Sequence, residues 1–128
     1  MATTPNFTKR PRNGRCTIAT ANTARDGTGT LVDLLVADAT DGSMGQRITI
    51  CATVTTTPGM IRFFVFDGSN NDLKLEIPVT AVVPSATVAA FTATITPNWI
   101  LAVGNTVKVS TQNAQEFRVT LEGGDFNA

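Results

Sequence analysis

The sequence predicts an all-β protein: a two-sheet antiparallel sandwich of about eight strands, of the jelly-roll type. Threonine is abundant, with 22 residues among 128, and β-branched side chains pack well on a pleated sheet but lose rotamer freedom in a helix. Short apolar and polar alternations are separated by turns rich in glycine, aspartate, asparagine and proline, which is typical of sandwiches. No stretch shows a convincing helical period.

The first half of the chain supplies four predicted strands, and each ends at residues that favour turns. The first is followed by the Asp26-Gly27 turn, the second by Asp41-Gly42, the third by Thr57-Pro58-Gly59, and the fourth by the oxygen-rich segment 67–72. Aspartate, asparagine and glycine adopt the backbone angles that tight turns require. The approximate strand bounds are 15–21, 30–37, 46–54 and 60–66.

The second half supplies four more predicted strands. Apolar and polar residues alternate from 73 to 79, and Pro78 indicates an edge or a bulge because it cannot donate to a ladder. Residues 99–105 are predicted to be a connection, and Gly123 and Gly124 are predicted to end the domain. The approximate strand bounds are 73–80, 87–95, 106–111 and 116–122.

Basic residues are concentrated at the N-terminus, which predicts an arm (1–14) on a single sandwich domain (15–128). Segment 1–15 carries a charge of +4 and the remainder −4, since four basic residues precede the first acidic one. With little apolar surface, such an arm is expected to become ordered mainly against a partner and to be dispensable for folding. The alternatives are a solvated tail, an added edge strand or a clasp between subunits. The expected partner-binding residues are Lys9, Arg10, Arg12 and Arg15.

Two predicted strands, 31–37 and 60–66, are apolar on both faces except at Asp33 and Arg62. A sandwich strand buries one face in the core, so the second face requires a cover. A loop or an arm would serve, but we predict a second subunit and a homotrimer. The predicted interface residues are Leu31, Leu35, Met60, Phe64 and Phe66.

The residue inventory argues against an enzyme, and we predict no catalytic residues, no metal and no cofactor. Histidine is absent, which removes the commonest general base and metal ligand. The available carboxylates fall mostly in turns or on polar strand faces. Segment 67–72 has the composition of a calcium loop without its spacing, so we interpret it as a turn. Cys16 and Cys51 are predicted to be free thiols.

Membrane and nucleic-acid functions are also unfavoured. No run approaches the ~20 apolar residues that span a bilayer, and the polar first 15 residues do not resemble a signal peptide. Outside the arm, the charge is negative and the aromatic residues follow core positions, and both observations argue against nucleic-acid binding. We expect synthesis in a host cytoplasm.

Several segments resemble small virion proteins of tailed bacteriophages, over roughly residues 18–126. They are 20–29, 48–67 with its Thr55-Thr56-Thr57-Pro58-Gly59 turn, 75–80 followed by 84–87, and 101–104 through 123–126. Within that group the chain is most similar to capsid decoration, or cement, proteins. The resemblance implies a small jelly roll that trimerises on the outer surface of the virion, with the major capsid protein as its partner. It implies no shared active site.

Two other functions remain open at the level of sequence. A tail, neck or fibre component would use the same β-sandwich architecture and would be distinguished by its copy number per particle. A carbohydrate-binding module for host attachment would be favoured by a shallow groove bearing Trp99. The presence of one tryptophan and no tyrosine argues against that module.

Overall fold

The computed structural model describes residues 8–126, and these form nine strands in two antiparallel sheets. The described residues contain no helix. The prediction of an all-β, two-sheet sandwich is therefore confirmed. The strands are β1 (Arg10–Ile18), β2 (Val32–Val36), β3 (Ser43–Ala52), β4 (Gly59–Phe66), β5 (Asn71–Val79), β6 (Thr92–Ile95), β7 (Trp99–Leu101), β8 (Thr106–Thr111) and β9 (Phe117–Asp125).

The five-stranded sheet has the order β1-β9-β3-β6, and β7 also pairs with β3. Strands β6 and β7 follow one another along the same edge of β3, so they form one interrupted edge. The interruption lies at Pro97-Asn98. Asn98 has a φ of 52° and its N–H donates to the Gln46 carbonyl. The segment predicted to be a connection, 99–105, therefore begins with a short strand.

The four-stranded sheet has the order β2-β8-β4-β5. Its inner face packs on the inner face of the other sheet, and residues such as Ile50, Phe63 and Val119 are fully buried there. Edge-to-face pairs join Phe63 to Trp99 and Phe91 to Phe117, with ring centroids 6.3 and 6.2 Å apart. The hydrophobic contact between the sheets is thus continuous along the sandwich.

Strand β1 begins at Arg10, five residues before the predicted start, so the prediction of an arm spanning 1–14 is wrong for its second half. Residues 10–14 pair with 121–125 of β9. The charge and proline content of this segment suggested an unpaired arm, but a strand at the edge of a sheet tolerates both. The predicted arm residues 1–7 lie outside the described residues.

Strand β9 runs through Gly123 and Gly124 and ends at Asp125, so the prediction that the glycines end the domain is also wrong. At Gly123 a Cβ atom would overlap the Met44 carbonyl oxygen of β3. The absence of a side chain permits this close approach of two backbones, as glycine often does within strands.

A bulge on the β4–β5 ladder changes the predicted alternation of β5. Phe63 lies opposite Leu75, whereas its neighbour Phe64 lies opposite Leu73. Adjacent residues of a strand face opposite sides of the sheet, so Leu73 and Leu75 do not share the predicted common face. Leu75 packs against the core between the sheets, and Leu73 is on the outer face with Phe64.

Candidate protein-binding surfaces

A buried carboxylate joins the two ends of the described chain. Asp125 is fully buried, and its carboxylate accepts hydrogen bonds from Arg10 at 2.6 Å, from Arg12 at 3.3 Å and from the Ser43 hydroxyl at 2.6 Å. The Ser43 oxygen in turn accepts from the Asp38 N–H at 2.8 Å. The cluster therefore ties β1 to the end of β9 and to the start of β3.

The electrostatics of this cluster favour the charged carboxylate. Burial by itself raises the pKa of Asp125, but the hydrogen bonds from Arg10, Ser43 and Arg12 more than reverse this, so its pKa lies below the ordinary value. The same contact with Asp125 raises the pKa of Arg10. The ion pair thus holds β1 in the sheet, and two of the four predicted partner-binding residues are occupied within the chain.

The other two predicted partner-binding residues, Lys9 and Arg15, are exposed. The Lys9 backbone N–H donates to the Asp125 carbonyl oxygen at 2.9 Å, which continues the β1–β9 ladder. Arg15 lies within β1 opposite Thr120. Since Cys16 and Ile18 face the core, Arg15 lies on the outer face of the five-stranded sheet.

That outer face is open and polar, and its residues form rows across the strands. One row is Arg15, Thr120, Thr49 and Thr94, and the next contains Arg118 beside Cys51. Arg47 pairs with Glu122 at 2.7 Å, and both side chains are about half exposed. We name the outer face of the five-stranded sheet the polar face. It presents hydroxyls and guanidinium groups on a rigid sheet.

The same geometry places the two cysteines on opposite sides of one sheet. Cys16 packs against the core, where burial raises the pKa of its thiol to about 11. Cys51 adjoins the buried Ile50 on β3, so its side chain lies on the polar face. Both are free, and a bond between them would have to pass through the sheet.

The predicted oligomer interface is largely internal to one chain, so that prediction is wrong for its central residues. Phe64 is 0% exposed and Leu35 is 4% exposed in the single chain. Leu31, Met60 and Phe66 are half-buried. A β2 bulge between Asp33 and Leu35 turns Leu35 into the core, which the apolar pattern alone does not reveal.

The cover over Phe64 is the chain's own connection between β1 and β2, residues 19–31, which we name the covering loop. At one end Ala21 bridges Thr111 at the end of β8. Further along, Arg25 binds Glu76 on β5 at 3.1 Å, and the Gly27 carbonyl accepts from the Asn71 side chain of β5 at 3.2 Å. Because β4 lies between β8 and β5, the covering loop crosses the outer face of β4.

Arg62 is sealed beneath the covering loop with Phe64. Its side chain is 2% exposed, and its Nε lies 3.3 Å from the Glu76 carboxylate, while Nη2 donates to Gln112 at 3.0 Å. Glu76 therefore accepts from Arg25 of the covering loop and from Arg62 of the sheet. This shared carboxylate fixes the loop to the four-stranded sheet.

An aromatic groove occupies the side of the sandwich between β5 and β7. Two shallow cavities of about 270 and 250 Å³ share Trp99 and Lys74. The second is also lined by Asp67, Asp72 and Asn105. The Asp67 carboxylate accepts from the backbone N–H groups of the following turn, chiefly that of Asn70, which lowers its pKa.

Between residues 8 and 126, no group of three or more cysteine and carboxylate side chains is arranged to hold a metal ion. The described part of the chain also contains no helix that could cross a lipid bilayer. No protein-family model matches the chain, and no curated protein matches its sequence. The candidate surfaces therefore rest on the geometry of this chain.

Sequence reasoning missed Asp125, Glu76 and Asn22, which position these surfaces. Asn22 is buried, and its side-chain N–H groups donate to the Thr28 and Thr30 carbonyls at 2.9 Å, so it shapes the covering loop from within. Each of the three was assigned to a turn, a tail or a polar strand face. An excess of basic residues early in the chain and an acidic residue near its end were the only signal for the Asp125 cluster.

Proposed function

We propose that the protein is a structural virion protein of a bacteriophage that binds the outer surface of the capsid and stabilises the shell. In this proposal it is a decoration, or cement, protein, its partner is the major capsid protein, and it acts as a homotrimer. The sequence resemblance supports the class. The strand orders β1-β9-β3-β6 and β2-β8-β4-β5 support the jelly-roll form of the sandwich, with β6 and β7 taken as one interrupted strand.

The observation that carries the proposal is the contrast between the outer faces of the two sheets. One is sealed by the covering loop, whereas the polar face is open and carries Arg15 and Arg118. Arg118 is 53% exposed, and its contact with Glu116 is long, at 3.7 Å. A rigid face with available guanidinium groups suits an acidic protein surface, since guanidinium forms bidentate hydrogen bonds with carboxylates.

Mass action explains how such binding stabilises a shell. A protein that binds only the assembled, expanded lattice shifts the equilibrium towards that lattice. Three linked copies raise the effective concentration of each binding face, so individually weak contacts sum to tight attachment. The proposed site therefore does not need a deep pocket or a large buried area in each subunit.

Charge reversal on the polar face is expected to weaken shell binding. The Arg15→Glu, Arg118→Glu double variant should bind shells roughly tenfold more weakly at low salt, which is about 0.7 kcal/mol for each exposed charge. The difference should narrow as salt rises, because exposed charges are screened. Co-sedimentation with shells stripped of the native protein measures the occupancy.

The matched control is Lys74→Glu, an exposed charge reversal on β5 of the other sheet. It should leave occupancy unchanged. Equal losses from the control and from the double variant would show a general effect of net charge, and the polar face would then not be the docking site.

A carbohydrate-binding role in host attachment is the second candidate, and the groove bearing Trp99 favours it. Aromatic and carboxylate groups meet there, with Asp72, Asn105 and Lys74 on the rim. Because Trp99 is the chain's one tryptophan, its fluorescence reports on this groove directly. A saturable fluorescence change with host-surface glycan, absent with capsid shells, would favour this role over decoration. A tail or neck role would instead give a multiple of six or twelve copies per particle.

A further inference from the structure

The longest uncharged stretch of the sequence is residues 77–107, between Glu76 and Lys108. These 31 consecutive residues contain no aspartate, glutamate, lysine, arginine or histidine. The next longest such stretch, 48–61, is less than half as long. Charged residues make up 16% of the chain, so a stretch of this length without one marks an unusual part of the surface.

The fold lays this stretch along one side of the sandwich, and we name it the uncharged strip. It begins at β5, continues through the loop 80–91 and follows the edge formed by β6 and β7. It then turns at 102–105 into β8. All of its residues are at least partly exposed except Val79, Phe91, Leu101, Thr106 and Val107. The strip therefore contributes to the surface, although Ile77, Val82, Ala90, Ala93, Ile95 and Trp99 also pack against the core.

The strip carries most of the exposed apolar side chains of the described residues. Ile100 is 78% exposed and Val83 is 70% exposed, and Val88 and Val103 are about half exposed. The two remaining large apolar residues that are exposed, Val36 and Val54, lie outside it. Depletion of charge combined with exposed apolar side chains is typical of the core of a protein interface.

The strip also contains a short strand edge that carries no charge. In the described residues β6 pairs only with β3, and its other edge carries threonine, alanine and isoleucine without charge or proline. By contrast, the edge strand β1 contains three arginines and a proline, and the edge strand β5 contains Lys74, Pro78 and a bulge. Native sheets use such charges, prolines and bulges to prevent strand pairing between molecules.

We propose that copies of this chain associate with one another through the uncharged strip. Two copies carry the same charges, so a shared interface built from charged residues brings like charges together unless each meets its opposite. The strip itself adds no charge to such an interface, and the charged side chains Lys74, Asp67 and Asp72 line the groove beside it. The strip has 17 exposed residues, slightly fewer than the roughly 20–30 residues that a stable interface uses on each side.

This inference locates the self-association that the proposed function includes, and it replaces the interface predicted at Leu35 and Phe64. It leaves the polar face free to meet the shell. The two surfaces adjoin at β6 and β7, where Thr94 and Ile100 lie on the outer face of the five-stranded sheet. The loop 80–91 belongs to the strip alone, so a change there leaves the polar face unaltered.

Sedimentation equilibrium of the full chain, without shells, tests the proposal. The wild type should have a mass that is a multiple of the 13.5 kDa chain at micromolar concentration. Val88→Lys in the loop 80–91 should raise the dissociation constant at least tenfold, because it places a charge in the core of the proposed interface. Val83→Lys should act in the same direction. Both positions are exposed, so thermal unfolding of the separated subunits should remain cooperative.

The matched control is Thr17→Lys, an exposed threonine on β1 at the opposite edge of the same sheet. It should leave the mass unchanged. A wild type that stays monomeric up to high micromolar concentration would overturn the proposal, as would equal dissociation by Thr17→Lys and Val88→Lys. A monomer that still binds shells would overturn only this inference. An oligomer that binds no shell would overturn only the proposed function.

Discussion

Replacing Phe64 with alanine is expected to destabilise the folded single chain by about 3–5 kcal/mol, as large-to-small changes at buried phenylalanines do. Phe64 is fully buried although it lies on the outer face of the four-stranded sheet, because the covering loop crosses β4. The change would leave a cavity between sheet and loop. A loss of this size is a large fraction of the stability of an ordinary domain, and urea denaturation measures it.

Phe66→Ala is the control for Phe64→Ala. Phe66 is half-buried two residues further along the same strand, where Lys108 lies 5.2 Å from its ring centroid. Its truncation should cost clearly less than that of Phe64, because part of its surface is already in water. If Phe64→Ala instead keeps its urea midpoint and only reduces the mass of an oligomer, Phe64 faces a second subunit and the covering loop does not seal it.

Asp125→Ala is expected to destabilise the fold by about 2–3 kcal/mol, the scale of buried hydrogen bonds to a charged group. Its carboxylate accepts from two arginines and from the buried Ser43, and β1 would lose its anchor at the end of β9. The exposed Glu122 of the same strand, paired with Arg47, is the matched control. Glu122→Ala should change stability by less than about 0.5 kcal/mol.

The pH dependence of the Asp125 effect has a defined sign. The folded pKa of Asp125 is lower than the unfolded value, which is about 3.9. Its contribution to stability is therefore fully present above that unfolded value and is lost as the pH falls through the folded pKa. The difference in unfolding free energy between wild type and Asp125→Ala should shrink below about pH 4. A difference that grows in acid would mean that Asp125 is not held as a carboxylate by its arginine partners.

The strand pattern of the fold could be predicted from the sequence because strands and turns depend mainly on residues close together in the chain. Alternation and turn chemistry predicted the β4 strand and the turn after it almost to the residue. The limits of β1 and β9 were not readable. Arginine, proline and paired glycines are typical of unpaired tails, so the sequence pattern indicated tails at both ends. The arginines of β1 are held by Asp125 of β9, and these residues lie more than 100 positions apart in the chain.

The candidate surfaces were less predictable than the fold. The apolar second face of β4 correctly indicated that a cover was needed, but a sequence pattern does not distinguish a loop of the same chain from a second subunit. The polar 19–31 segment gave no sign that Arg25 and Gly27 would reach across to β5. The uncharged strip, by contrast, can be identified in the sequence. The structure adds that it lies along one side of the sandwich, where it can form an interface.

Cryo-electron microscopy of the native phage particle tests the proposed decoration role most directly. We expect the chain in hundreds of copies on the outside of the shell, grouped in threes, with the polar face carrying Arg15 and Arg118 against the capsid protein and the uncharged strips against each other. Density confined to the tail or neck in a multiple of six or twelve copies, or a polar face turned towards solvent, would contradict the account.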